Sequence, residues 1–499
     1  MIDARFALAA LLVLLTTAAA PQQLDSTSMT APQLLERADK TTGVLAPGTY
    51  LRTYTVEGAG VHTSGVAKIA GSDRETVEHT GSFTTGFGIF HGQQWSQNEN
   101  GVVTLLSGFH DTIDPDANAL SRADSSTALR VLGITHDAPQ QYVLEAAPAA
   151  GPRERRYYDA QTYLLNRIEM TGSDGRVRAW NFSRYRPVFG ELIPYTVRYT
   201  DGRGGDTVTQ ITSFAASPVS ITGVPAGRKL LAIAQSAPVP VPAAFNEDGI
   251  IVPVVIAGHT YNFALDSGSS SLAISPRLAA RLAFKQYGLS PSDIGIDAAT
   301  TKIVVPDAAI GALHLTNTVF RVMPLDEPDD GNHIMGVLGL DFWSSAVVAL
   351  DFRTGTVKLY RASTSPPDAP SLSAMPITLE DGIPRAPVAV ENVQGYFLLD
   401  TGSAATIFFR HYFDQLRTKT PLDQTLEMSW LGSPVDMEAY TVDNVLMGPA
   451  QFKHANIALP PETSADNPDY DGVVGRNIME YYIMYFDYEG HAVYLRPNV

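Results

Sequence analysis

Asp266-Ser267-Gly268-Ser269 and Asp400-Thr401-Gly402-Ser403 are two copies of one short motif. Each copy follows an apolar run, Phe263-Ala264-Leu265 in the first case and Phe397-Leu398-Leu399 in the second. A lone Asp-x-Gly triplet is common and usually marks a turn. Two copies in matched surroundings indicate a repeated structural unit.

The repetition extends to both sides of the motif. Glu247-Asp248-Gly249-Ile250 precedes the first Asp, and Glu380-Asp381-Gly382-Ile383 precedes the second at almost the same distance. Gly336-Val337-Leu338-Gly339 and Gly472-Val473-Val474-Gly475 follow, their last glycines lying 73 and 75 residues after the Asp. The chain is therefore expected to contain two equivalent lobes of about 120–130 residues, a usual domain size.

Paired carboxylates suggest the chemistry of these lobes. Two carboxylates a few ångströms apart cannot both ionise, so the pair shares one proton and holds an acid and a base at once. Each lobe resembles a retropepsin-type aspartic protease unit, with an apolar run, Asp-Thr/Ser-Gly-Ser, a following helix and a later apolar-apolar-Gly. The resemblance covers about residues 240–499. It implies a mainly β protein with two homologous retropepsin-like β-barrel lobes, the acid-protease fold.

The resemblance assigns roles to individual residues. It implies that Asp266 and Asp400 form the catalytic pair, one from each lobe. The residues expected to support the pair are Ser267, Gly268, Ser269, Thr401, Gly402, Ser403, Gly339 and Gly475. Among them, glycine permits close approach of the two turns, the second-position hydroxyls would tie each lobe to the other's backbone, and the following serines would hold outer carboxylate oxygens.

Two segments are candidates for the hairpin flaps that cover the cleft in this family. They are residues 294–304, with Gly295, and residues 428–437, with Trp430 and Gly432. Neither segment carries the tyrosine that is typical of pepsin flaps.

These features predict an aspartic endopeptidase that hydrolyses peptide bonds of a polypeptide substrate without a metal or other cofactor. The alternative is a catalytically inactive periplasmic peptide- or lipoprotein-binding protein that retains the protease fold. Replacing either Asp by Asn distinguishes the two, because activity would vanish while binding would persist. Since both carboxylates come from one chain, the pair needs no dimer, and we expect a monomer.

Composition limits the partners and the compartment. The 499 residues carry a formal net charge of −17, which argues against nucleic acid because phosphate binding needs a basic surface. Residues 1–20 resemble a signal peptide, and no further membrane span is expected once it is cleaved. The absence of cysteine excludes disulfides and fits a periplasmic or secreted bacterial protein. Acidic runs at 326–331 and 466–472 lack calcium-loop spacing and are interpreted as solvated loops.

The expected domain order is a signal peptide (1–20), an N-terminal α+β domain (28–215), a Pro-rich linker (216–243), the first lobe (244–362), a second linker (363–371) and the second lobe (372–499). Within the N-terminal domain we expect a helix capped by Thr30, a second helix over 116–133 and curved antiparallel sheet. Residues 92–101 and 185–194 give this domain a faint resemblance to periplasmic lipoprotein carriers. Such a domain would capture or target a substrate, or it would be inert or inhibitory.

Overall fold

Antiparallel strands make up most of the structure, as the alternation of apolar and polar residues predicts. The computed structural model describes residues 23–58, 60–106, 128–147, 154–171, 177–200, 206–233, 237–290, 300–325, 334–362, 366, 372–380, 382–430, 433–461 and 470–497. The strands within these ranges form four sheets: one in the N-terminal region, one in each lobe and one between the lobes. The expected signal peptide lies outside the described residues.

Helix α1 (Ala31–Thr42) opens the N-terminal region and begins where the sequence predicts. Its cap is a reciprocal pair: the Thr30 hydroxyl accepts the N–H of Gln33, and the Gln33 side chain accepts the N–H of Thr30. Leu34 and Ala38 lie on one face and are buried against apolar side chains of the adjacent sheet. Packing against the sheet therefore stabilises the helix, because an isolated helix this short is only marginally stable in water.

The N-terminal sheet is curved, and its neighbouring strands are all antiparallel. Its strands are β1 (Leu24–Asp25), β2 (Thr49–Gly58), β3 (Val61–Ala70), β4 (Asp73–Thr80), β5 (Phe83–Phe90), β6 (Gln93–Gln97), β7 (Val103–Leu106), β8 (Ala128–Thr135), β9 (Gln141–Ala147), β10 (Glu154–Asp159), β11 (Leu165–Thr171), β12 (Val177–Val188), β13 (Glu191–Thr200) and β14 (Thr207–Ala216). Their spatial order is β1, β8 to β14, then β2 to β7.

The second helix expected in this region is wrong for its last part. Strand β8 begins at Ala128 and pairs with β9 and β1, while residues 116–127 lie outside the described residues. Val131 and Gly133 flank an irregularity in the β8–β9 register. Pairing on both edges of the strand outweighs the helical preference of its Ala and Leu residues, because strand formation depends on neighbours more than on intrinsic propensity.

The first lobe follows strand β15 (Val239–Val241), which belongs to the sheet between the lobes. Its own elements are β16 (Ala244–Asn246), β17 (Gly249–Ile256), β18 (His259–Leu265), β19 (Ala273–Ile274), α2 (Pro276–Leu282), β20 (Gln286–Ser290), β21 (Thr300–Ile310), β22 (Leu313–Val322), β23 (Ile334–Leu338) and α3 (Leu340–Trp343). The strand order is β16-β17-β18-β23-β19-β22-β21-β20, with a further pairing of β17 and β21. Ser275 caps α2, its hydroxyl accepting the N–H of Leu278.

The second lobe repeats this arrangement element by element. After the strands β24 (Ala346–Asp351), β25 (Thr356–Arg361) and β26 (Ser373–Pro376) come β27 (Thr378–Glu380), β28 (Ile383–Val390), β29 (Val393–Leu399), β30 (Thr406–Phe408), α4 (Arg410–Phe413), β31 (Lys419–Trp430), β32 (Ser433–Met447), β33 (Ala450–Leu459), β34 (Gly472–Val474) and α5 (Arg476–Met479). Its order is β27-β28-β29-β34-β30-β33-β32-β31, with β28 also pairing β32. The predicted mainly β, two-lobed fold class is confirmed.

A six-stranded sheet joins the lobes. It is completed by β35 (Tyr482–Asp487) and β36 (Ala492–Pro497), and its order is β15-β25-β24-β35-β36-β26. The central pair β24 and β35 runs antiparallel and takes one strand from each lobe. Pro240, within the expected Pro-rich linker, lies in the edge strand β15, where its missing N–H costs no ladder bond. The second expected linker lies outside the described residues except for Pro366.

Candidate active site

Both Asp-x-Gly turns leave a central strand of their lobe. Strand β18 ends at Leu265 and β29 at Leu399, so each Asp is the first residue after a strand that is paired on both sides. The N–H of Asp266 donates to the carbonyl of Leu338 at 3.2 Å, and the N–H of Asp400 donates to the equivalent carbonyl of Val474 at 3.0 Å. The apolar-Gly segments of the repeat therefore hold the backbone of the two turns.

Two buried hydroxyls tie the turns to each other. The Thr401 hydroxyl accepts the N–H of Ser267 at 3.0 Å and donates to the carbonyl of Leu265 at 2.9 Å. The Ser267 hydroxyl accepts the N–H of Thr401 at 3.0 Å and donates to the carbonyl of Leu399 at 2.7 Å. Both side chains are completely buried, at 0% exposure, so four hydrogen bonds fix one turn against the other out of reach of water.

Glycine is required at the third position of both motifs. A Cβ atom on Gly268 would lie 2.4 Å from Cγ of Asp400, and one on Gly402 would lie 2.8 Å from Cγ of Asp266. Each glycine also donates its N–H to Oδ1 of the Asp in its own turn, at 2.7 Å and 2.8 Å. The carboxyl group of each lobe thus lies against the glycine of the other lobe, and the two carboxyl groups are neighbours.

The surroundings of the pair favour a bound proton. Both Asp side chains are half-buried. Burial raises the pKa of Asp266 well above its ordinary value, and the charge of Asp400 and a hydrogen bond with it raise this pKa further. The N–H groups of Gly268 and Gly402 oppose this by stabilising the ionised form. The neutral form of one carboxyl group is thereby favoured beside a second carboxyl group.

The serines that follow the two motifs do not hold the carboxylates as expected. The Ser269 hydroxyl donates to the carbonyl of Ser271 at 3.0 Å, and the Ser403 hydroxyl donates to the carbonyl of Ala405 at 2.7 Å. Asp400 instead accepts the backbone N–H of Ser403 at 3.2 Å. These hydroxyls close each turn locally because a backbone carbonyl two residues away is within their reach.

Gly339 and Gly475 stand directly before the short helices α3 and α5. A Cβ on Gly339 would lie 2.2 Å from the carbonyl oxygen of Ser271, and one on Gly475 would lie 2.3 Å from that of Ala405. Side chains at these positions would push the two turns out of place. Glycine is therefore required at both positions, because a side chain there would collide with the backbone that follows each Asp.

Three residues near the turns were not assigned to the site from the sequence. Tyr488 is buried beneath the turns, where burial and then the charges of Asp266 and Asp400 raise the pKa of its hydroxyl. Arg476 donates to two backbone carbonyls of the first lobe at 2.8 Å and 2.7 Å, and so connects the lobes. Asp341 occupies α3 and is 1% exposed. The sequence contained an indication for Arg476 and Asp341, since they closely follow the repeated glycines Gly475 and Gly339.

The flap candidates are described only in part. In the first lobe, β20 and β21 pair antiparallel, but Gly295 lies between them, outside the described residues. In the second lobe, β31 and β32 form a long antiparallel hairpin in which Trp430 pairs with Ser433. Gly432 lies outside the described residues. Each lobe thus has a hairpin at the corresponding position of its sheet order.

The remaining observations concern metal sites, membrane-spanning helices and the two acidic runs. Within the described ranges, no His, Asp and Glu side chains form a group of three arranged to hold a metal ion. In the same part of the chain, no helix has the length and apolarity needed to cross a membrane. The acidic run 326–331 lies outside the described residues. Asp471, at the end of the other run, accepts hydrogen bonds from the N–H of Tyr396 and contacts His411 at 3.0 Å.

Comparison with known proteins agrees with this geometry. Residues 252–342 match the family model described as aspartyl protease, so the resemblance recognised in the sequence is confirmed for the first lobe. No curated protein sequence matches the chain. The match supports aspartic-type protease activity in general.

Three solved structures are similar in part. An aspartic proteinase from Irpex lacteus shares 13% identity and a TM-score of 0.35, covering 52% of this chain and 97% of its own. A LolA superfamily protein from Nitrosomonas europaea is 14% identical with a TM-score of 0.31, and the match covers 39% of this chain and 96% of that protein. A DUF1329 family protein from Desulfovibrio piger is 15% identical with a TM-score of 0.28, and the match covers 38% of this chain and 92% of that protein.

Proposed function

We propose that this protein is an aspartic endopeptidase in which Asp266 and Asp400 jointly activate a water molecule. The observation that carries the proposal is the approach of the two turns, in which each carboxyl group lies against the glycine of the opposite lobe. Ser267 and Thr401 hold this approach by reciprocal buried hydrogen bonds. Such an arrangement has no evident structural purpose, since it places two acids side by side.

The chemistry follows from one proton shared by two carboxyl groups. The ionised carboxylate takes a proton from a bound water, and the water oxygen attacks the carbonyl carbon of the peptide bond. The protonated carboxyl group gives its proton to the carbonyl oxygen as the tetrahedral intermediate forms. The intermediate then collapses and the C–N bond breaks. One of its hydroxyl groups returns a proton to the ionised carboxylate as the C=O bond re-forms, and the leaving nitrogen takes the proton that came from the water.

An extended polypeptide is the proposed substrate, and the edge strands of the two lobes support it. Hairpins β20–β21 and β31–β32 present strand edges from both lobes, and an extended polypeptide can add to such edges through main-chain hydrogen bonds. The proposal needs neither a metal nor a cofactor, since both catalytic groups are carboxylates. Because one chain provides both, a monomer suffices. We further propose that the protein acts in the periplasm or outside the cell, which N-terminal sequencing of the mature protein would test.

The deciding experiment is cleavage of an unfolded protein by purified residues 21–499 from about pH 3 to about pH 8. Asp266→Asn and Asp400→Asn should each abolish cleavage and leave the melting temperature close to that of the wild type. Asp307→Asn, at an exposed position of the first lobe, controls for the change of charge. The raised pKa of Asp266 should keep the pair protonated, and the enzyme active, at higher pH than an isolated carboxyl group would allow.

Two outcomes would contradict the proposal. Cleavage that survives either Asn variant would show that the pair is not the catalyst. Absence of cleavage by the wild type at every pH, with peptide binding retained in the Asn variants, would favour a non-catalytic binding protein with the same fold.

A further inference from the structure

Helices α3 and α5 each present one polar side chain to the strand that follows the Asp-x-Gly turn of their lobe. Oδ2 of Asp341 accepts the N–H of Leu272 at 3.2 Å. In the second lobe, Oδ1 of Asn477 accepts the N–H of Thr406 at 2.8 Å. The repeat makes these residues equivalent, because both side chains lie two residues after the repeated glycine and both amides lie six residues after the Asp.

The two lobes differ in what these side chains can donate. Asn477 has an amide, and its Nδ2 donates to the carbonyl of Asn456 on the neighbouring strand at 2.8 Å. Burial raises the pKa of Asp341, but the N–H groups that donate to its oxygens stabilise the ionised form, and a carboxylate can only accept. The carbonyl equivalent to that of Asn456 belongs to Val319, since the β19–β22 and β30–β33 pairings share one register. The first lobe therefore lacks a donor that the second lobe has.

The N-terminal region supplies the missing donors from the loop between β6 and β7. Nδ2 of Asn98 donates to Oδ1 of Asp341 at 2.8 Å. Nδ2 of Asn100 donates to the carbonyl of Val319 at 3.0 Å, and its Oδ1 accepts the N–H of Val319 at 2.8 Å. Asn100 and Asp341 are 5% and 1% exposed, so these contacts are sealed from water.

The loop is shaped before it meets the lobe. Oδ1 of Asn98 accepts the N–H groups of Asn100 and Val102, both at 3.0 Å, which orients its Nδ2 outward. Val102 is buried in the same apolar cluster as the cores of both lobes. Glu99, between the two asparagines, pairs with Lys302 of strand β21. A preorganised loop loses little conformational entropy when it docks, so the contact can be specific.

We propose that Asn98 is a positioning residue for the turn of Asp266, acting through Asp341 and Leu272, and that the N-terminal region thereby completes the first lobe. The inference rests on the proposed proteolytic function, in that the turn it positions carries one carboxylate of the pair. It makes the N-terminal region a working part of the site and not a detachable inhibitor.

The test reverses the polarity of one hydrogen bond in the full chain. Asn98→Asp keeps the Oδ1 acceptor that shapes the loop but replaces the Nδ2 donor by an oxygen, so two carboxyl groups face each other and can keep a hydrogen bond only by binding a proton. Adding Asp341→Asn restores a donor from the other side, while its Oδ1 still accepts the N–H of Leu272. Asn317→Asp, at an exposed position of the same lobe, makes the same charge change without touching the contact.

We expect Asn98→Asp to lower kcat by roughly tenfold to a hundredfold with a smaller change in KM, since displaced catalytic groups cost rate more than binding. The double variant Asn98→Asp with Asp341→Asn should recover to within about threefold of the wild type, because coupled partners are not additive. Amide hydrogen exchange at Leu272 should accelerate in the single variant and slow again in the double variant.

Two results would overturn the inference: an Asn98→Asp variant that behaves like Asn317→Asp, or a loss that Asp341→Asn does not recover. Failure of the proposed function is separable from both. If the wild type cleaves nothing, the exchange rate of the Leu272 amide in the same variants still decides whether Asn98 positions the turn.

Discussion

Thr401→Val removes one of the two hydroxyls that join the turns and leaves the shape of the side chain almost unchanged. The substitution should destabilise the lobes, because the N–H of Ser267 and the carbonyl of Leu265 each lose a partner. Thr401 is completely buried, so water does not replace the lost bonds. An unpaired buried backbone group costs about 1–3 kcal/mol, and two such groups cost about 2–6 kcal/mol in free energy of unfolding.

The assay is the melting temperature of the full chain by calorimetry. One kcal/mol shifts the melting temperature of a domain of this size by about 2–4 °C, so a cost near 3 kcal/mol lowers it by about 6–12 °C. Thr401→Ser keeps the hydroxyl and should melt much closer to the wild type, as Ser267 fills the same role in the first lobe. Thr316→Val, at an exposed position of β22, should change the free energy by less than about 0.5 kcal/mol.

The reasoning is refuted if Thr401→Val melts within about 1 °C of Thr316→Val, a difference too small for even one orphaned backbone group. It is also refuted if Thr401→Ser is as unstable as Thr401→Val, since keeping the hydroxyl would then bring no gain in stability.

Two further predictions concern the site and the domain contact. Gly268→Ala should reduce cleavage at least about a hundredfold, because its Cβ would lie 2.4 Å from Cγ of Asp400 and displace that carboxyl group; full activity in kinetic assays would contradict the approach of the turns. Burial raises the pKa of Glu99, but the charge of Lys302 and its hydrogen bond help to bring the pKa below its ordinary value. The ion pair of Glu99 and Lys302 therefore stabilises the protein fully above about pH 4.3, the ordinary pKa of Glu. The stabilisation decreases as the pH falls through the lower pKa that Glu99 has in the folded state. Melting temperatures from about pH 6 to about pH 3 should show a shallower acid loss in Glu99→Gln than in the wild type or in the exposed control Glu57→Gln, and parallel curves would contradict this.

Much of the fold was predictable because the sequence contains two copies of the same unit. A motif of four residues, an apolar strand before it and an apolar-Gly segment after it recur at nearly equal spacing, and a repeat at this scale indicates equivalent lobes. Local signals were also sufficient for α1 and α2, whose caps need residues only three positions apart. Residues 128–133 form strand instead of the expected helix because their pairing partners, and not their own side chains, decide their conformation.

By itself, the sequence determined which residues could form the pair, Asp266 and Asp400, because each lies in a repeated four-residue motif. The structure showed why glycine and a hydroxyl follow each Asp, since both contact the opposite lobe. Only the tertiary structure decided that Asn98 contacts Asp341, 243 positions away. Such a contact leaves no periodic pattern in the chain, because a side-chain hydrogen bond depends on two surfaces meeting in the correct orientation. The break in the repeat at Asp341 and Asn477 is visible in the sequence, but its meaning appears only when the donor from another domain lies beside it.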